Sequence, residues 1–170
     1  IGTAYLGGNY KGRWRGIIDS IVTLLLVLPR TVLGFCLRIF FGKNGPAGKF
    51  LLQFDINLIF TWTATVISAV VVAFPMMYRS SRSAFEQIDD NLIAAAKTLG
   101  MSKWKIFYKI SVPLAWPGII GGVVLSFARA LGEFGATMMI AGNIPGKTQT
   151  MPLAIYFKVQ AMDYKGAMGW

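Results

Sequence analysis

The chain has 170 residues, of which 55% are hydrophobic and 14% charged, with a formal net charge of +10. That balance belongs to a bilayer protein and excludes a soluble nucleic-acid binder, whose Lys and Arg line a wet face without apolar runs of spanning length. With no His and a single Cys, Cys36, it also excludes a Cys/His metal centre, a thiolate–imidazole nucleophile and an internal disulfide.

The chain opens on Ile1 rather than Met, without a basic start and small-residue exit, and reads as an internal fragment. Lys11, Arg13 and Arg15 follow with no acid among them. Three apolar stretches come next, at about 17–41, 56–78 and 113–141. A hydrocarbon core takes about 20 helical residues, so each stretch is predicted to be a transmembrane helix. The period-two alternation of a membrane barrel is absent. Pro29, Arg30 and Arg38 interrupt the first stretch and Pro75 the second, which predicts kinks or protein-lined cavities. The expected class is all-α: a polytopic transmembrane helical bundle, one transmembrane domain over residues 1–170, with a connecting loop at about 79–112.

Short cytoplasmic loops collect Lys and Arg. Arg79, Arg82, Lys97, Lys103, Lys105 and Lys109 therefore place the second connection, with the N-terminal basic cluster, on the cytoplasmic side. Lys43, Lys49, Lys147, Lys158 and Lys165 are sparser and mark the outward side. Trp62, Tyr78, Tyr108 and Trp116 fall near the ends of apolar runs, where amphipathic rings favour the headgroup layer.

The second connection reads as two short helices. Asp89 and Asp90 cap the first, residues 91–99, and Gly100 supplies a left-handed stop. Ser102 caps the second, residues 103–110, which carries Trp104, Phe107 and Tyr108 among lysines and is expected to stop at Pro113. Here the chain resembles the importer-type permeases of ATP-binding cassette transporters. Their signature is Glu-Ala-Ala, three residues, Gly, nine residues, Ile, one residue, Leu-Pro. In this chain it stands as Ala94-Ala95-Ala96, Lys97-Thr98-Leu99, Gly100, nine residues, Ile110, Ser111, Val112 and Pro113. It departs at Ala94, where the family has Glu, and at Val112, where it has Leu.

The resemblance implies that Ala94, Ala95, Ala96, Leu99 and Gly100 dock into a groove of a separate ATP-binding subunit. ATP and Mg would then belong to that partner, and this chain would be no enzyme and hold no cofactor or metal. The sequence agrees, because Gly146-Lys147-Thr148 lacks the Gly five residues before Gly146 that a phosphate-binding loop needs and reads as a turn after Pro145. The implied assembly pairs two permease copies in a homodimer with two ATPase subunits. A substrate-binding protein outside and membrane lipid around complete it, in the inner (cytoplasmic) membrane of a bacterium or archaeon. No nucleic acid takes part. Family members carry a further span before residues like 1–8 and another after residues like Trp170, so both are expected beyond this chain.

Residues 127–137 and 143–156 look like the molybdate branch of that family, implying molybdate or tungstate as substrate. The sulfate and thiosulfate permeases, the alternative, share Arg129 and the Gly132-Glu133 core but usually differ at Ala136-Thr137 and Ile144-Pro145-Gly146. An ion-coupled secondary transporter would need ionisable relays deep in the spans, which Arg30 and Arg38 without nearby acids do not supply. Arg129 and Glu133 stand at i and i+4. On a continuous helix they share a face and can pair; in the other reading Arg129 offers its N–H fork to an oxyanion on the translocation pathway, beside Glu133.

Overall fold

The computed structural model describes residues 13–54 and 58–170, and every regular element among them is helical. Residues 1–8, Lys11 and Ile56 lie outside the described residues, as do the side chains of Arg13 and Arg15. In chain order come α1 (Arg13–Val27), α2 (Arg30–Phe41), α3 (Pro46–Leu52), α4 (Trp62–Glu86), α5 (Asp90–Thr98) and α6 (Lys103–Ile106). A π-helical turn at Phe107–Ser111 leads into α7 (Val112–Leu131), followed by α8 (Gly135–Ile140), α9 (Met151–Gln160) and α10 (Tyr164–Met168).

Among the described residues two helices are long and apolar enough to cross a membrane: α4, and the run Lys103–Leu131. At about 1.5 Å per residue α4 reaches about 37 Å, beyond the hydrocarbon thickness of about 30 Å. The first apolar stretch is no single rod. Its helices Gly16–Val27 and Arg30–Phe41 meet at an angle of 116°. Pro29 cannot donate to the helix before it, and a proline disfavours the α region for the residue it follows; its own φ of −55° and ψ of 134° start α2 afresh. The second helix extends past Tyr78 to Glu86 with Pro75 fully buried inside it, so Arg79 and Arg82 belong to a helix rather than to a connection.

The third stretch departs at both ends. Pro113 does not stop the preceding helix: the Val112 N–H bonds to Phe107 O, five residues back, and the widened turn carries the chain into α7. A proline ring collides with the carbonyl four residues before it in an α-helix, and a π turn at that place moves the backbone aside. At the far end α7 closes at Leu131, and Gly132, Glu133 and Phe134 separate it from α8. Tyr78 is not an interfacial ring either, being 4% exposed with its hydroxyl 3.4 Å from Asp19 Oδ1.

The chain divides into two compact units, Ile1–Thr23 with Phe74–Phe127, and Leu24–Ala73 with Ala128–Trp170. In the first, Val22, Tyr78, Phe85, Ala115 and Ile119 form the core. There α4 and α7 approach over small residues: a methyl on Gly118 would fall 2.6 Å from Ala84 Cβ, and one on Gly122 2.8 Å from Ser80 Cβ. Arg82 ties α1 to α4 through Asp19 and also bonds Glu86 at 2.9 Å. In the second unit Leu33, Val72 and Ala136 form one cluster and Ala64, Ile140 and Ala141 another. Ser68 and Thr137 share a buried hydroxyl hydrogen bond of 2.9 Å, which satisfies both in an apolar setting. Towards the C-terminus Lys158, with the Gly166 N–H, holds the Asp163 carboxyl below its usual range.

Candidate coupling surface and translocation residues

The helix α5 is built by its ends. Asp89 accepts from the Asn91 N–H at 2.9 Å, and Asp90 adds negative charge at the positive end of the helix dipole. At the other end Gly100 has φ +75°, its N–H bonds to Lys97 O at 3.0 Å and the Met101 N–H to Ala96 O at 3.1 Å, closing a Schellman turn. Ser102 then accepts from Lys105 N–H at 3.4 Å to start α6.

Burial sorts the motif residues. Ala94, Ala95 and Gly100 are exposed, and Leu99 is 81% exposed. Leu92, half-exposed, completes an apolar row with Ala95 and Leu99 at spacings of three and four, one helix face. Ala96 is the exception, at 4% exposure. It packs inside the chain, since one position along the helix from Ala95 turns the side chain by about 100°. Beyond the turn, Trp104 and Tyr108 stand out from the chain, stacked with centroids 6.1 Å apart, while Phe107 stacks inward on Phe85. Those two exposed rings adjoin the motif.

Arg129 and Glu133 do not pair. No ion pair within 4 Å joins them among the described residues, since the helix that would hold them on one face ends at Leu131. Glu133 turns inward instead, 2% exposed, and its Oε1 accepts the Ala136 N–H at 2.8 Å at the start of α8. Its Oε2 is buried without a hydrogen bond. Arg129, half-buried, feels the positive charge of Arg30 as well as the negative charge of Glu133. Arg30 belongs to this site through Gly135, where an added methyl would lie 3.3 Å from Arg30 Cβ. Sequence spacing gave no sign of Arg30, which is about a hundred residues from Arg129; the only hint was a charge at a proline-marked break.

The segment after α8 is a turn. Gly142 and Gly146 have φ of +68° and +72°, and the N–H groups of Lys147, Thr148 and Gln149 all point at Ile144 O. The Thr148 hydroxyl is buried, donating to Gly142 O and accepting from the Ile144 N–H, which leaves it unavailable to a phosphate. Among the described residues no cluster of His, Cys, Asp and Glu could hold a metal.

Residues 1–168 match the family of binding-protein-dependent transport system inner membrane components. The chain belongs to that family. This permease is 49% identical over 172 residues to the putative molybdenum transport system permease protein YvgM of Bacillus subtilis, covering 96% of this chain and 76% of that one. It is 46% identical over 153 residues to the molybdenum transport system permease protein ModB of Haemophilus influenzae, covering 89% and 66%. The sulfate transport system permease protein CysT of Escherichia coli is further off, at 35% over 164 residues, covering 96% and 59%. The permease thus spans between 59% and 76% of the length of these relatives. Its apolar helices fit the inner membrane that the family description names, and the family transports rather than catalyses.

Proposed function

We propose that this permease forms the translocation pathway of an ATP-driven importer for molybdate or tungstate and is coupled through α5 to a separate ATP-binding subunit. The observation that carries the reading is the apolar row of Leu92, Ala95 and Leu99, ended by the left-handed Gly100. A helix displaying small and apolar side chains beside a tight turn suits a groove on another protein. Identity of 49% and 46% to molybdenum permeases against 35% to a sulfate permease supports the substrate.

In this reading the importer holds two copies of the permease and two ATPase subunits, and an extracytoplasmic binding protein delivers the oxyanion. ATP and Mg sit on the ATPase, and this chain needs no cofactor. The chain crosses the membrane more than once, with 79–112 on the cytoplasmic side. Closure of the ATPase pair draws the two α5 helices together and opens the bundle outward; release of hydrolysis products reverses it. Arg129 and Arg30 supply positive potential for a divalent oxyanion leaving water, and the guanidinium fork of Arg129 offers it N–H donors.

The test is ATP hydrolysis by the reconstituted importer with and without loaded binding protein. Leu99→Glu places a charge on the docking row without touching the core, and is expected to abolish stimulation. Full stimulation in that variant would overturn the coupling role of α5. For the substrate, tungstate is expected to compete with molybdate for uptake while an excess of sulfate does not; equal competition by sulfate would move the chain to the sulfate branch.

A further inference from the structure

Where α2 turns into α3, a cleft of about 440 Å³ opens between Phe35, Arg38, Ile39, Lys43, Asn44 and Ile59. Its lining carries two kinds of chemistry. Arg38, Lys43 and the Asn44 amide supply polar groups, and Phe35 and Ile39, both exposed, with Ile59 supply apolar ones. Among the described residues neither Arg38 nor Lys43 has an acidic partner within 4 Å. Two cations with no acidic partner among the described residues, set beside apolar side chains, are costly at membrane depth unless an anion joins them.

Arg38 is nonetheless held in place. Its guanidinium carbon lies 5.6 Å from the centre of the Phe60 ring, a cation–π contact that leaves its N–H groups free to donate. Phe60 in turn is fixed by strain and packing. Its φ is +58°, rare for a bulky residue, its N–H bonds to Ile140 O at 3.3 Å, and its ring lies so close to Gly142 that a methyl there would come within 3.1 Å of it. A non-glycine residue kept in that conformation, with its ring turned under a cation, makes Arg38 a preorganised donor rather than a wandering surface charge.

We propose that this cleft binds a phosphate-type oxyanion, and that its source is the headgroup of an anionic phospholipid. The guanidinium fork of Arg38 and the ammonium of Lys43 take the phosphate oxygens, and Asn44 donates alongside. Phe35, Ile39 and Ile59 receive the upper part of an acyl chain, which is the reason to favour a lipid over a free ion: a dissolved oxyanion has no use for an apolar wall. The site is separate from Arg129 and Glu133 and stands whether or not the importer carries molybdate.

The experiment is native mass spectrometry of the intact importer, released from phosphatidylcholine nanodiscs doped with phosphatidylglycerol. The wild type is expected to retain phosphatidylglycerol over phosphatidylcholine, and Arg38→Gln with Lys43→Gln to lower that preference about tenfold. Arg38→Lys should lose part of it, since charge survives and the fork does not. Retention of both lipids in proportion to their supply by the wild type would overturn the proposal, whatever the variants do. So would an undiminished preference in the double variant. Displacement of the retained lipid by millimolar inorganic phosphate, or by molybdate, would identify a free-anion site and overturn the lipid source.

Discussion

The two carboxylate oxygens of Glu133 differ in their surroundings. Oε1 caps α8 through the Ala136 N–H and Oε2 is buried without a partner. Glu133→Gln keeps an acceptor for that N–H and is expected to melt close to wild type in detergent. Glu133→Ala removes it and should cost about 0.5–2 kcal/mol, the usual value of a lost cap. Arg129 is a separate matter because no ion pair ties it to Glu133. Arg129→Lys should keep part of the molybdate uptake and Arg129→Ala should lose it while the complex still assembles. Adding Glu133→Ala to Arg129→Ala should rescue nothing; restored uptake would mean that the arginine serves only to balance the acid. The sequence reading left pairing open because a spacing of four implies one face only while the helix continues. Gly132 follows the last residue of α7, and that one termination separates the two side chains.

At the scale of the element, the ends of α5 were readable because they are local. Asp89, Gly100 and Ser102 act on backbone groups within three residues of themselves, or, for Gly100, by its own φ. Which face of α5 turns inward was not readable, since Ala94, Ala95 and Ala96 are alike in chemistry and only packing against the rest of the chain distinguishes them. Two substitutions separate the faces. A Cβ at Gly100 would meet nothing within 4 Å, so the cost of Gly100→Val is chiefly backbone strain, on the order of 1–3 kcal/mol, which misaims the turn. It is expected to lose binding-protein-stimulated ATP hydrolysis with little change in melting. Ala96→Trp forces bulk into a position 4% exposed, and should lower the melting temperature together with coupling. If Ala96→Trp melted like wild type while coupling failed, Ala96 would be a docking residue after all.

Across the whole molecule the all-helical class and the long apolar runs were legible from hydropathy, whereas their breaks were not. A proline can end a helix, go with a widened turn or sit within it, and this chain does all three, at Pro29, at the π turn before Pro113 and at Pro75. Packing over glycine gives a contrast to measure within the long helices and their neighbours. A methyl on Gly34 would fall 2.5 Å from Ala136 Cα, backbone that cannot yield cheaply, so Gly34→Ala should destabilise the second unit, whereas a methyl on Gly121 would meet nothing within 4 Å. Gly121→Ala is expected to melt at or above wild type, by up to about 1 kcal/mol from helix propensity. Near-equal melting of the two variants would show that the α2–α8 approach is softer than it looks. The π turn has its own consequence. Such a turn holds one residue more than an α-helix of the same rise, so Phe107–Ser111 is a reserve of length in the rod that joins the exposed Trp104 to α7. Passing the widened loop one residue along the rod would swivel one end against the other without breaking the helix, and Pro113, whose ring collides with the carbonyl four residues back in an α-helix, would oppose its travel into α7.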